Sequence, residues 1–383
     1  MSVNRLKGIP GFSIDQVARE AGNDPEVLRM ENLDTDLDPP FSAILATKSA
    51  IGEDADNSYL PFIGKDALRT LVAERINRTI KQELYENKDV VITCGATEAM
   101  LDALLATTDP GDEVLLTDPT YVGMIQRVRL VGAKPKLVPF YRFMDTWRLD
   151  IEQLRMAVTD STKALFIMNP SMPSGAVLNQ MEWAAITDIC RERNIYLIYN
   201  AAMERILYDG QTVFQPASIP GMEDLTITIG SMSKEYRMIG WRVGWVVAPK
   251  HLISDIARVH IYNTVTATGI AQSGAIAALS DQKDGFINCL AEWGSRRDMI
   301  NNQLKDYPMI SAAGGWSQLL DVGQMGYDGT TASKLLLEKG KIAATPMTHW
   351  GEQNSKQFVR LVFSNEPVKR LSTLRNRVKL ALG

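Results

Sequence analysis

The sequence predicts a large α/β domain built on a doubly wound, mostly parallel sheet, joined to a smaller α+β domain. Three observations predict it. Between about residues 66 and 250, apolar runs of strand length alternate with stretches of helical periodicity, the order of successive strand–helix–strand units. Those runs are continuously apolar rather than alternating, the habit of strands buried on both faces. Past about residue 285 the alternation gives way to one long charged helical stretch, short strands and a basic C-terminal helix.

The elements follow in order. Val90-Val-Ile-Thr93 is β-branched and bounded by glycine at 95, so it reads as a strand feeding a helix over 96–105. Glu113-Val-Leu-Leu116 precedes a helix over 122–131, and Ala164-Leu-Phe-Ile-Met168 precedes one over 180–193. Tyr196 to Tyr199 repeats the strand pattern. In the C-terminal part a helix is expected over 290–305, strands over 316–322 and 358–363, and a basic helix from Val368. The large domain is thus expected over 46–284 and the small one over 1–45 and 285–383.

Composition narrows the function classes. The 383 residues carry 41 Lys and Arg against 45 Asp and Glu, a net charge of −4 without the basic excess that a phosphate backbone demands, so nucleic acid is not an expected partner. The longest apolar runs, including Trp245-Val-Val-Ala248, fall far short of the roughly 20 residues that span a bilayer. Residues 1–10 show neither an apolar h-region nor a small-residue cleavage site, which places the protein in the cytoplasm. Cys94, Cys190 and Cys289 lack CxxC spacing, and His251, His260 and His349 form no close pair, so neither a disulfide framework nor a metal centre is expected. No fixed-period repeat or low-complexity tract is present.

The chemistry concentrates in Ile229-Gly-Ser-Met-Ser-Lys-Glu-Tyr-Arg-Met-Ile-Gly-Trp-Arg-Val-Gly-Trp245. Lys234 follows two serines, and Arg242 stands eight residues on. A lysine that forms an imine must lose its proton near neutral pH, which burial beside another cation favours. The Ser231 and Ser233 hydroxyls and the Arg242 guanidinium suit a phosphate dianion. Gly95-Ala-Thr-Glu-Ala99 opens a helix after a strand, so the Ala96 and Thr97 N–H groups suit the same anion. Asp118-Pro-Thr-Tyr121 puts the Tyr121 ring at the carboxyl edge of the sheet, where open α/β sheets bind ligands. Arg360, inside Phe358-Val-Arg-Leu-Val-Phe363, is an arginine among apolar residues and needs a carboxylate partner, either a substrate or an internal acid.

In this order the motifs resemble a fold-type-I pyridoxal-phosphate enzyme of the class I/II aminotransferase family, from about Asp36 to the end of the chain. The resemblance implies that pyridoxal 5′-phosphate is the cofactor and that Lys234 holds it as a Schiff base. It implies that Ser231, Ser233, Arg242 and the Ala96 and Thr97 backbone bind its phosphate, and that Tyr121 stacks on its ring. It implies that Arg360 grips the substrate α-carboxylate, and that Tyr59 reaches the phosphate of a neighbouring subunit, hence a homodimer with shared sites. Three positions depart from the family. Its Asn-Pro-Thr-Gly turn reads Met172-Pro-Ser-Gly175, and its Asp-x-x-Tyr, whose aspartate pairs with the pyridinium nitrogen, reads Asn200-Ala-Ala-Met203. An amide at Asn200 hydrogen-bonds the ring nitrogen without supplying the charge that keeps it protonated. The expected reaction is ping-pong transfer of an amino group from an amino acid to a 2-oxo acid. The alternatives are a lyase, oxidase or cyclase using the same cofactor, or a non-catalytic cofactor-binding protein. Arg237, Lys65 and a neighbour's arginine are unranked candidates for a second substrate cation. Met238, Trp241 and Trp350 read as core or wall, and His349 reads equally well as facing substrate or as an exposed loop residue.

Overall fold

The computed structural model describes residues 3, 6–11, 13–352 and 355–383. Four of the first ten residues, on which the expectation of no leader rests, lie outside the described residues. After a two-residue strand β1 (Leu28–Arg29), the chain builds β2 (Val90–Thr93), β3 (Glu113–Asp118), β4 (Lys134–Phe143), β5 (Thr146–Leu149), β6 (Thr162–Met168), β7 (Tyr196–Asn200), β8 (Thr226–Ser231) and β9 (Gly244–Val247). These eight strands from β2 onward form one sheet in the order β2-β9-β8-β7-β6-β3-β4-β5. Strands β8, β7, β6, β3 and β4 run parallel, while β9 is antiparallel to both β2 and β8, and β5 to β4. The sheet is therefore mixed and mostly parallel, the fold class that the sequence predicts.

Strands β2, β3, β6 and β7 stand where their apolar runs put them, and the helices Ala96–Thr107, Val122–Leu130 and Gln180–Arg193 follow as expected. Gln180–Arg193 starts on a reciprocal cap. The Asn179 side chain accepts from the Glu182 N–H at 2.9 Å, and Glu182 accepts from the Asn179 N–H at 2.7 Å, an arrangement worth about 1 kcal/mol. The second Glu182 oxygen accepts from the Leu149 N–H at 2.8 Å and so ties the edge strand β5 to that helix. Strand β8 gives a weaker signal because Thr226-Ile-Thr-Ile alternates, yet every residue of it is buried.

The C-terminal part holds the long helix Phe286–Gln303, β10 (Ser317–Asp321), β11 (Ile342–Ala343), β12 (Thr345–Pro346) and β13 (Phe358–Val362). Strands β10, β13 and β12 form an antiparallel sheet in that order, and β1 pairs in parallel with β11, stitching the start of the chain to its C-terminal third. The expected basic helix is two, Val368–Leu371 and Leu374–Leu382. One apolar cluster runs through Leu28, Leu115, Trp183, Trp316 and Val378, so the two sheets share a core. Among the described residues no helix is long and apolar enough to cross a membrane.

Strands β2, β3, β6, β7 and β8 all end at one edge of the large sheet, because β9 is antiparallel to both of its neighbours. At that edge backbones approach closely. A Cβ on Gly244 would stand 2.6 Å from the Ala96 nitrogen and 2.8 Å from the Gly230 oxygen, atoms fixed by the sheet and by a helix start. Gly244→Ala is expected to destabilise the protein by about 1–3 kcal/mol in a urea melt.

Candidate active site

A cavity of about 270 Å³ opens at this edge, and the chain brings to it almost every residue singled out from the sequence. Ala96 and Thr97 come from the helix start after β2, and Tyr121 from the turn after β3. Asn200 is the last residue of β7 and Ser231 the last of β8, with Ser233, Lys234 and Arg242 following on the same turn. Arg360 enters from the other sheet, on β13, paired in register with Leu319 and Thr345. Tyr59 is the exception. It lies outside this cavity, 85% exposed, with its ring edge-on to Phe62.

One end of the cavity is built for an anion. Ser231 Oγ donates to Ser233 Oγ at 2.8 Å and accepts from the Ser233 N–H at 3.0 Å, which fixes both hydroxyls on one side. Arg242 is held in the left-handed region at φ 55° and donates from Nη1 to the Ile239 carbonyl at 2.9 Å, turning its fork over the same place. The Ala96 and Thr97 N–H groups, at the start of their helix, have no intrahelical acceptor. Gly95, at φ 84°, leaves room for the fork, since a Cβ there would stand 2.5 Å from Arg242 Nη2. Hydroxyls, guanidinium and helix N-terminus together suit a phosphate ester.

The opposite end holds two cations and no carboxylate side chain. The Lys234 ammonium sits deep, donates to the Leu33 carbonyl at 2.5 Å and lies 5.1 Å from the Trp316 ring centroid. Burial lowers its pKa from 10.5 to about 8; Asp34 opposes the shift, and Arg360 and Arg242 add to it. Arg360 is fully buried. It donates to the Glu31 carbonyl at 2.5 Å and to Met172 Sδ at 3.3 Å, and its guanidinium carbon lies 4.8 Å from the Trp350 ring centroid. Arg360 Nε is buried without a partner. Burial brings its pKa down to about 10. Among the described residues neither Lys234 nor Arg360 makes a direct ion pair; the charge of Glu31 acts on Arg360 from farther off, as that of Asp34 does on Lys234. A buried guanidinium with an idle donor suits a small carboxylate.

The floor of the cavity carries the departures. Asn200 is buried, and its Oδ1 accepts from the Ala202 N–H at 3.0 Å, so the amide presents Nδ2, which lies 3.6 Å from Met100 Sδ. Met172 lines the cavity against Arg360. Met203 does not line it: its side chain is buried toward Gly315, and Ala202 faces the cavity instead.

The structure also sorts the remaining candidates. Trp350 is cavity wall, Met238 is core, and Trp241 donates to Thr47 Oγ1 at 2.8 Å away from the site. His349 is exposed and outside the cavity. Arg237 is spent on the Asp38, Glu235 and Asp284 carbonyls, and Lys65 on Asp56 and Ser273, so neither is a second substrate cation. Leu33 reaches the cavity from the Glu31–Asp36 segment, which the family resemblance places over the substrate, whereas Ile14 is missed, because a lone aliphatic near the N-terminus reads as core.

Known proteins resemble this chain in sequence and in fold. The family model for aminotransferase class I and II matches residues 27–378. An aspartate aminotransferase of Pyrococcus abyssi is 30% identical over 310 residues, 80% of this chain and 79% of that one. A probable N-succinyldiaminopimelate aminotransferase of Mycobacterium tuberculosis is 32% identical over 362 residues, covering 89% and 91%. The solved N-succinyldiaminopimelate aminotransferase of Mycobacterium tuberculosis superposes with a TM-score of 0.92 at 29% identity over the whole of both chains. The aspartate aminotransferase of Thermus thermophilus with maleate superposes with a TM-score of 0.90 at 25% identity over 98% of each. With its mostly parallel sheet and a lysine, a phosphate cradle and a buried arginine around one cavity, the chain belongs to the class I and II aminotransferases, which are pyridoxal-phosphate-dependent transferases.

Proposed function

We propose that this enzyme moves the amino group of an amino acid to a 2-oxo acid in two half-reactions, each using the same cavity. The observation that carries this reading is that Lys234 and the unpaired Arg360 share one cavity with the anion cradle of Ser231, Ser233 and Arg242. Pyridoxal phosphate, when bound, supplies an aldehyde that takes up an amine and a ring that draws electrons from the carbon beside it. The residues here fit it. The cradle would take the phosphate, Tyr121 would cover the ring, Asn200 would meet the ring nitrogen, and Lys234 would supply the amine that anchors it.

Arg360 grips the α-carboxylate in a fork and so orients the α-hydrogen toward Lys234 Nζ. Nζ, neutral above about pH 8, takes that proton and returns it on the other side of the transfer. Trp350, Leu33 and Met172 exclude water around the carboxylate. The protein acts as a homodimer in this reading, with Tyr59 of each subunit extending to the partner's phosphate; the 85% exposure of its ring supports that.

A second reading is favoured by Asn200. Because Ala202 holds Oδ1, the amide has only a donor to offer a ring nitrogen, and a nitrogen held that way would carry no proton and would draw electrons less strongly. That suits elimination or oxidation of an amino acid on the same cofactor. Product analysis separates the two. Transfer yields one 2-oxo acid per subunit from amino acid alone and turns over only with an added 2-oxo acid, whereas release of ammonia or hydrogen peroxide without an acceptor assigns the second reaction.

Four outcomes test the residue roles. Lys234→Ala abolishes the visible band of the bound cofactor and turnover together. Formation of the coloured holoenzyme speeds up as pH rises through about 8, where the buried ammonium loses its proton, instead of near 10.5; stopped-flow absorbance reads it. Arg360→Gln raises KM for the amino acid about a hundredfold, equivalent to the loss of roughly 2.8 kcal/mol of carboxylate binding, with cofactor affinity unchanged. Asn200→Asp raises transfer at least severalfold and shifts the absorption band; slower transfer would favour the second reading.

A further inference from the structure

Beside the phosphate cradle, on the face away from Lys234, lies a buried cluster that the reaction above does not use. Glu98, in the first turn of the helix after Gly95, folds back so that Oε2 accepts from the Cys94 N–H while Oε1 meets His260 Nδ1 at 2.8 Å. On its other side His260 Nε2 meets the Phe62 carbonyl at 2.9 Å. A carbonyl only accepts, so Nε2 carries a proton; Glu98 is a carboxylate that also only accepts, so Nδ1 carries one too. The ring is an imidazolium, fully buried. Although burial opposes its charge, the hydrogen bond and charge of Glu98 hold its pKa above the ordinary value. Asp102, one turn along the same helix, brings Oδ2 to 3.9 Å from Nδ1, and its other oxygen accepts from Asn263.

What the imidazolium touches gives it a job. Its Glu98 contact ends on Cys94, the residue before the Gly95–Thr97 turn that forms the cradle. Its Phe62 contact ends on the exposed arm that carries Tyr59, three residues earlier. The arm is also tied at Pro61, whose carbonyl accepts from Thr266 Oγ1 at 3.4 Å, and just behind Phe62, where the Ile63 carbonyl accepts from the Ile92 N–H at 3.0 Å and Gly64 packs on Ile92.

We propose that His260 is a positioning residue: a buried imidazolium that links the phosphate cradle of one subunit to the arm by which its Tyr59 reaches the phosphate of the other. This rests on the reading of Tyr59 given above. The ring fixes the distance between the cradle and the arm and thereby tunes how tightly both sites of a dimer hold a phosphate.

The test compares dissociation constants for pyridoxal phosphate and for pyridoxal, which lacks the phosphate, read from the visible band in wild type, H260Q, Y59F and the double variant. Expected is a loss of about tenfold for pyridoxal phosphate in H260Q, the size of one lost charge-assisted hydrogen bond, with pyridoxal binding unchanged. The double variant is expected to lose no more than the weaker-binding single variant. Equal losses for both ligands would make His260 a mere prop and overturn the proposal, as would losses that add in the double variant. If Y59F loses the phosphate preference and H260Q keeps it, the proposal fails and the Tyr59 reading stands; if Y59F is silent, the Tyr59 reading fails and takes the proposal with it. Should H260Q not fold, because Glu98 is left without its counter-charge, H260Q/E98Q removes both charges and carries the same measurement. Stoichiometric metal in the purified enzyme, bound through an unprotonated Nδ1, would also overturn it.

Discussion

The site depends on two cations held in one cavity without an anion. Lys234 and Arg360 are buried together, and their direct contacts are carbonyl oxygen, thioether sulfur and aromatic faces, with the Asp34 and Glu31 carboxylates acting only from beyond ion-pair distance. Such groups accept hydrogen bonds or present π-electrons, but they do not neutralise charge. The cost of keeping two like charges out of water is expressed in both groups as pKa values below their ordinary range. The same cost makes the cavity a good host for a carboxylate at one end, and for an amine that works in its neutral form at its centre. Wall residues from both sheets and from the first forty residues are needed to exclude water, which explains why the site lies where those segments meet.

The phosphate end obeys a different rule. There the chain combines exposed groups, Thr97 and Arg242, with the buried hydroxyls of Ser231 and Ser233, and depends on how they are arranged. Close backbone approach at Gly244 brings the β9 strand against the start of the helix after β2, and the left-handed Arg242 turns its fork back over that start. A glycine, a helix N-terminus and a strained arginine thus act as one unit. The Glu98–His260 pair extends that unit inward to the arm that carries Tyr59.

Asn200 is where this member of the family differs in chemistry rather than in shape. The N–H of Ala202, two residues on, decides which face of the amide meets the cavity, so the backbone turn after β7 sets the electronic character of the site. Met172 and Ala202 leave the neighbouring positions without polar hydrogen, so this part of the cavity wall offers one amide donor among thioethers.

The sequence by itself determined the sheet class and where along the chain the continuously apolar strands lie, since a strand buried on both faces must be apolar at every position; their order in the sheet came from the structure. It also singled out Lys234, Ser231, Ser233 and Arg242, which the structure brings to one cavity and which lie within twelve residues of each other. It did not reveal β8, whose threonines alternate with isoleucines and are buried only because neighbouring strands cover both faces. Nor did it show that Arg360, more than a hundred residues from Lys234, makes no direct ion pair among the described residues; that is a fact about what packs around it. Arg237 and Lys65 are lone cations in the sequence and are spent on carbonyls and on Asp56 only once the chain has folded. His260 reads as an isolated histidine, and only the packing of the helix Ile253–Thr264 against Ala96–Thr107 brings it to Glu98. Local pattern carries what neighbouring residues do to one another; contacts between segments far apart in the chain belong to the tertiary structure, because their energy exists only when both segments are in place.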